Sequence, residues 1–285
     1  MDTAAGTVPT LRPAAAVVAL KPVAQAKSRL GTLPDPLRRR LAWTMAVDTL
    51  TALGGAVELL LVVGDQPALA SRLARAGVAA EVVPEAGARG MNGALTHGVD
   101  VAAARGHTTV LACVGDLPAL RSASVRAVLD SVEDGDRAFL ADASGVGTTM
   151  LVARGVPLQP HFQGPSAAAH QQSGAAPLTD GRLGVAVPDA RRDVDTEADL
   201  GPAAALGLGR ATSALLVPGT ARLAACTVVT TTGWTTDDGL PLAVAADGHR
   251  LVLPPEAVDG LRPPLRVGQR LHAVHAAGVV RSAWL

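Results

Sequence analysis

The sequence predicts an α/β protein, a sheet flanked by helices and followed by a small β-rich unit. Short unbroken apolar runs alternate with helix-like stretches from residue 14 to about 206, the pattern of a doubly wound sheet. After a composition shift at 207–219, valine-rich short strands separated by Asp-Gly and Gly turns take over. Alanine and glycine dominate, aromatics make up 2% and tyrosine is absent. The core must therefore be built from Ala, Val and Leu, which suits helices seated close to a sheet.

Residues 1–13 are small, polar or Pro-bearing and read as a disordered lead. The apolar run 14–20 is the first buried strand. A helix follows over 36–53, with Leu37, Leu41, Met45, Leu50 and Leu53 near one face, Pro36 in its first turn and Gly54-Gly55 at its end. A strand over 57–63 stops at Gly64-Asp65, a helix covers 66–76, and a third strand covers 78–83. Gly90 opens a helix to about 105, and 108–113 is the central strand. A helix over 122–131, a strand over 137–140, a strand entered at Thr148-Thr149, a helix near Ser166 and a last helix from Thr196 to about 206 complete a domain over 14–210. The β-rich unit, 220–285, places strands at 226–231, 240–245, 250–253 and 271–275, an OB- or cold-shock-like barrel.

The formal net charge is zero, so no polyanionic partner is implied. Trp234 and Trp284 alone could stack bases in the barrel, which makes nucleic-acid binding an unfavoured reading and a packing module the better one. Cys113 and Cys226 stand far apart without metal-ligand spacing and read as buried thiols. There is no basic leader, and 14–20 is too short to span a membrane, so a cytoplasmic protein with no membrane association is expected.

Several stretches carry candidate chemistry. The central strand ends in Gly115-Asp116-Leu117-Pro118, which puts a carboxylate where open α/β sheets bind ligands. Asp116 reads either as a Mg2+ ligand or as a helix cap. Lys21, Lys27 and Arg29, with Ser28 between the last two, follow the first strand and read as a triphosphate clamp or as a solvated basic turn. No Walker A glycine pattern is present. Gly90 and Asn92 at a helix start offer N–H groups and an amide to a base or ribose, or simply a cap. After Asp142, a glycine-rich turn delivers Thr148 and Thr149 to a strand, a place suited to phosphate or carboxylate. Gly164, Ser166 and His170 sit at a loop-to-helix junction with the same character. Asp193 and Asp195 alternate, so in extended backbone their side chains share a face. Either Asp195 meets Asp116 or it caps the last helix.

Read together, Lys21 to Leu30, Gly115-Asp116-Leu117-Pro118, Gly147-Thr148-Thr149, the Phe162 to His170 junction and Asp193-Val194-Asp195-Thr196 resemble the guanylyltransferases of coenzyme F-420 biosynthesis. That family has two forms, acting on 2-phospho-L-lactate or on phosphoenolpyruvate, and the Ala-rich composition favours the second. The resemblance, over about 14–210, implies a Rossmann-like, GT-A-like mixed sheet flanked by helices. It implies that a phosphate oxygen of phosphoenolpyruvate attacks the α-phosphorus of GTP and releases pyrophosphate, before the next transferase of the pathway uses the product. Asp116 and Asp195 would hold Mg2+, and Lys21, Lys27, Ser28 and Arg29 would meet the triphosphate, with Lys27 counted as catalytic. Gly90 and Asn92 would meet the nucleoside, and Thr148, Gly164 and Ser166, with neighbouring N–H groups, the acceptor. Where the family has Phe-Gly-Pro-x-Ser, this chain has Phe162-Gln163-Gly164-Pro165-Ser166, which shifts the glycine by one. The β-rich unit lies outside the resemblance.

Overall fold

The computed structural model describes residues 13–20, 30, 33–66, 68–237, 239–258 and 265–285. The expected lead (apart from Pro13) and the candidate residues Lys21, Lys27, Ser28 and Arg29 lie outside the described residues. Strands β1 (Ala14–Ala19), β2 (Leu59–Val63), β3 (Glu81–Val83), β4 (Thr109–Cys113), β5 (Arg137–Ala141), β6 (Thr148–Arg154) and β7 (Ala176–Pro177) form one sheet in the order β3-β2-β1-β4-β6-β5-β7. The first four run parallel, β6 runs antiparallel to β4 and β5, and β7 is parallel to β5. The sheet is therefore mixed.

Helices α1 (Asp35–Gly54), α2 (Leu69–Arg75), α3 (Gly90–Ala104), α4 (Ser122–Asp130), α5 (Ser166–Gln172), α6 (Asp180–Leu183), α7 (Pro188–Arg191), α8 (Glu197–Ala205) and α9 (Arg210–Ser213) complete the body. Alternate residues of β1 feed two cores. Ala14, Ala16 and Val18 pack with Leu50 and Leu53 of α1 and Val125 of α4. Ala15 and Val17 pack on the other face with Leu95 and Ala102 of α3. This is the period-2 reading of a strand buried on both faces.

Three expected boundaries shift for local reasons. The N–H of Val57 bonds the Leu53 carbonyl, so it closes α1 before β2 begins at Leu59. Val78 likewise bonds Leu73 and finishes α2, leaving β3 only three residues. Ala68 takes a left-handed φ of 59°, which delays α2 to Leu69. The helix expected from Thr196 is α8, which Thr196 caps, its hydroxyl and N–H both donating to Asp199, and the short α9 follows it.

The β-rich unit is a closed barrel of β8 (Cys226–Trp234), β9 (Pro241–Ala245), β10 (Arg250–Val252), β11 (Arg270–Ala276) and β12 (Val279–Trp284), in circular order β10-β12-β11-β8-β9. Its parallel closure, Val252 beside Val279, gives the strand order of an OB-type barrel. The closing strand β12 has no counterpart in the sequence reading, since Arg281 and Ser282 interrupt its apolar pattern. Both polar side chains serve the joint with the body. Arg40 of α1 donates to Ser282 Oγ at 2.9 Å and lies over the Trp284 ring, and Arg281 donates to the Leu216 carbonyl at 2.7 Å. Apolar residues Leu37, Leu41 and Met45 of α1 meet Leu215, Ala224 and Val274 there. Asp48, also on α1, accepts from the N–H groups of Ala211 and Thr212 at 3.0 and 2.8 Å. Burial raises the pKa of that carboxyl, against the pull of its bonds to Thr212 and Ala211.

Helix α3 sits tight on the sheet at Gly98, where an added Cβ would lie 2.4 Å from Val17 and 2.8 Å from Val63. At Gly93, on the same helix, the nearest atom would be 3.6 Å away. Gly98→Ala should therefore lower stability by about 1–3 kcal/mol through overpacking, and Gly93→Ala should raise it by up to about 1 kcal/mol through helix propensity. Urea unfolding midpoints of the two variants should move in opposite directions.

Candidate active site

Strand order reverses about β1 and β4, and their carboxyl ends open into a cavity of about 920 Å³. Open α/β sheets bind ligands at such a crevice. The parallel register pairs Val18 with Cys113, so the chain leaves β1 at Ala19 and Leu20 beside Gly115 and Asp116, and all four residues line the cavity. Leu20 is held there by its N–H to the Val63 carbonyl and by Gln66 on its own carbonyl. Lys21 follows it directly in sequence. Because β6 is antiparallel, its amino end returns to this same edge, and the N–H of Val114 donates to the Thr149 carbonyl at 3.0 Å. Thr148 thereby lines the cavity.

The segments carrying Asp116 and Asp195 are linked by one backbone bond, Val194 N–H to the Asp116 carbonyl at 3.1 Å. Asp193, Asp195 and Asp116 all line the cavity. Capping falls to Asp199, whose carboxylate accepts from the N–H groups of Asp195 and Thr196 and from the Thr196 hydroxyl. Burial works against the ionised form of Asp199, but these bonds outweigh it and lower the pKa. Asp195 itself lines the cavity. Cys113, fully buried beneath, has its thiol pKa pushed well up by burial and by nearby Asp116, and both cysteines are free thiols.

The opposite wall differs from the sequence reading in three respects. First, Asp142 takes the Val146 and Gly147 N–H groups at 3.0 and 2.9 Å, with the Ser144 hydroxyl at 2.8 Å. The glycine-rich turn is folded on this internal carboxylate, so those N–H groups are not open to an acceptor. A Cβ at Gly147 would fall 2.5 Å from Asp142 Oδ2, so a side chain there would displace this carboxylate. At the start of α5 the Ser166 N–H bonds the Gly164 carbonyl and the Ala167 N–H bonds the Val146 carbonyl. Thr148 and Ser166, both hydroxyl residues, line the cavity.

Second, Asn92 does not line the cavity. Its amide clamps the backbone of Phe162, accepting from the N–H at 2.8 Å and donating to the carbonyl at 3.0 Å. The neighbouring Met91 lines the cavity instead, and Gly90 supplies a positive φ of 70° at the start of α3. Third, His170 is fully buried and is not exposed to a bound anion. Its Nε2 receives the His161 N–H at 2.8 Å and its Nδ1 lies 2.9 Å from Thr148 Oγ1. Just after the two clamped residues, His161 and Phe162, the loop bends sharply: Gln163 has φ of 101° and Gly164 of 58°. The shifted glycine of this chain therefore leaves a glutamine in a left-handed conformation at the cavity wall. Asp142 and Trp43 also line the site and had no role in the sequence reading. The Asp-Ala-Ser-Gly-Val-Gly run at 142–147 was the available signal for Asp142.

Among the described residues, the cavity lining carries Asp116, Asp142, Asp193 and Asp195 and no cationic side chain. No group of three or more His, Cys, Asp or Glu among the described residues is arranged to hold a metal by itself. No described helix is long and apolar enough to cross a membrane.

Comparison with known proteins bears on this arrangement. A family model described as the MobA-like NTP transferase domain matches residues 28–182. The phosphoenolpyruvate guanylyltransferase of Salinispora arenicola is 46% identical over 205 residues, covering 70% of this chain and 91% of that protein. The one from Streptomyces coelicolor is 46% identical over 204 residues, covering 70% and 93%. A putative nucleotide-diphospho-sugar transferase from Desulfovibrio desulfuricans shares the fold, with a TM-score of 0.51 at 16% identity over 66% of this chain and 84% of that one.

Burial, then the charges of His161 and Arg137, lowers the pKa of His170 to about 4, with the Ser166 backbone opposing. An unfolded histidine titrates near 6.5, so the unfolded state binds more protons between those values. Stability should therefore fall as pH drops from about 6.5 to 4, by up to roughly 3 kcal/mol, and this contribution should level off below. Urea unfolding at stepped pH should show that slope shallower in His170→Asn.

Proposed function

Since the chain belongs to the phosphoenolpyruvate guanylyltransferase family and is a nucleotidyltransferase, we propose that it transfers GMP from GTP to the phosphate of phosphoenolpyruvate. The products are enolpyruvoyl-2-diphospho-5'-guanosine and pyrophosphate, the first being an intermediate of coenzyme F-420 biosynthesis. The observation that supports the reading is that Asp116, Asp195, Thr148 and Ser166 line one cavity, with the segments of Asp116 and Asp195 linked by the Val194–Asp116 backbone bond. The acceptor phosphate is already ionised, so it needs no general base. One of its oxygens bonds the α-phosphorus as the bond to the pyrophosphate oxygen breaks. The chain's task is to hold two anions in line and offset their charge.

The donor set fits a hard cation. Asp116 and Asp195 would hold Mg2+, an ion usually bound by one or two carboxylates with substrate phosphates completing its shell. When bound, the ion would neutralise the phosphates that an otherwise acidic cavity repels. Lys21, Lys27, Ser28 and Arg29 supply the remaining charge and donors to the triphosphate, with Lys27 counted as catalytic. Gly90 frees the backbone at the head of α3 for the nucleoside, and Asn92 serves it by holding Phe162. Thr148 and Ser166 donate hydroxyl protons to the acceptor, and Gly164 keeps the turn between them open. The names of the curated relatives favour phosphoenolpyruvate over 2-phospho-L-lactate.

The direct test is pyrophosphate release from GTP and Mg2+ with phosphoenolpyruvate, 2-phospho-L-lactate or 3-phosphoglycerate, with the next transferase and its deazaflavin substrate as a trap. Turnover should be fastest with phosphoenolpyruvate and should vanish on chelation. Asp116→Asn and Asp195→Asn should each lower kcat by about a hundredfold or more, with unfolding midpoints near wild type. Full activity in both variants would sink the carboxylate-pair reading.

A further inference from the structure

We propose that His170 is a positioning residue that sets which way the Thr148 hydroxyl points, so that its proton is presented to an anionic oxygen of the acceptor. The inference rests on the acceptor assignment above and adds a residue that does not itself touch substrate. It follows from what each partner of the ring can do. A backbone N–H can only donate, so the His161 N–H, 2.8 Å from Nε2, requires a lone pair there. A proton on Nε2 would set two N–H groups head to head. In the neutral ring the proton is then on Nδ1, which donates to Thr148 Oγ1 at 2.9 Å. With that oxygen serving as acceptor, the hydroxyl hydrogen is left for another partner. Among the described residues Thr148 Oγ1 has no second bond, and Thr148 lines the cavity.

The ring has little freedom to reverse this order. His170 is fully buried, with Phe162 edge-on at 5.1 Å and Phe139 and His161 within about 6 Å between ring centres. One side chain thus serves two parts of the acceptor wall. Nε2 pins the loop carrying Gln163 and Gly164, and Nδ1 orients the hydroxyl at the head of β6. A hydroxyl fixed as donor suits a phosphate or carboxylate oxygen and needs no reorientation when one arrives.

Substitutions separate the two ring positions. An asparagine at 170 places its amide near Nδ1 and can donate to Thr148, whereas glutamine reaches the Nε2 position and keeps only the His161 contact. H170Q should raise KM for phosphoenolpyruvate about tenfold or more, with KM for GTP within about twofold. H170N should recover most of that loss, and H170Q should add little in a Thr148→Val background. Equal losses in H170N and H170Q, parallel changes in both KM values, or additive effects with Thr148→Val would overturn the proposal. Nitrogen-15 NMR of the wild-type imidazoles, with His170 assigned by its disappearance in H170N, reads the tautomer without activity. A proton on Nδ1 supports the proposal and one on Nε2 overturns it. Silence of the wild type with every acceptor would count against the guanylyltransferase reading alone, and the tautomer would still decide this one.

Discussion

From Leu41 to Leu50 helix α1 has almost no solvent to face, and that constraint ties the two parts of the molecule together. Leu50, Leu53, Trp43 and Val47 pack toward the sheet, and Leu37, Leu41 and Met45 toward the barrel. A helix covered on nearly every side cannot be amphipathic in the ordinary sense, and its apolar residues are spread around it. Its one buried carboxylate, Asp48, is kept by giving it two N–H donors at the head of α9. Gly209 leaves the room for this, since a Cβ there would lie within 2.3 Å of Asp48. Cavity, sheet and barrel all hang on this helix.

The site is a meeting of two differently built walls. On one side, parallel strands deliver Leu20 and Asp116 by register, and a single backbone bond brings Asp195 alongside. On the other, an antiparallel strand returns Thr148 to the same edge, and long-range side-chain clamps from Asn92 and His170 hold the loop before α5. The first wall owes its shape mainly to strand register and backbone bonds, with Gln66 on the Leu20 carbonyl. The second owes it to a few hydrogen bonds between residues far apart in the chain.

That difference explains what could be read from residues alone. Buried strands, the Gly115-Asp116 strand end and the alternation of Asp193 and Asp195 are local patterns; the strands fall within a few residues of their expected bounds, and the three aspartates line the cavity. The Asn92–Phe162 clamp joins residues 70 positions apart. No local pattern distinguishes it from a helix cap or a base contact. His170 reads as a ligand when only its helical neighbour Ser166 is considered, and as a buried acceptor once His161 and Thr148 close on it. The short elements β7, α7 and α9 and the closing strand β12 have too few residues or too mixed a pattern to announce themselves. The antiparallel turn of β6 likewise has no local mark, because strand direction is decided by the connection.

The scarcity of aromatics has an optical consequence. With no tyrosine and only three tryptophans, near-ultraviolet emission comes from indoles whose surroundings differ sharply. Trp43 is a buried part of the cavity wall with the Arg72 guanidinium 4.0 Å above its ring. Trp284 stacks with His272 at the joint between body and barrel, and Trp234 stands on the barrel half-exposed. Cavity, joint and barrel surface each carry a native fluorophore, so the intrinsic spectrum is a three-channel report on the molecule without any attached dye.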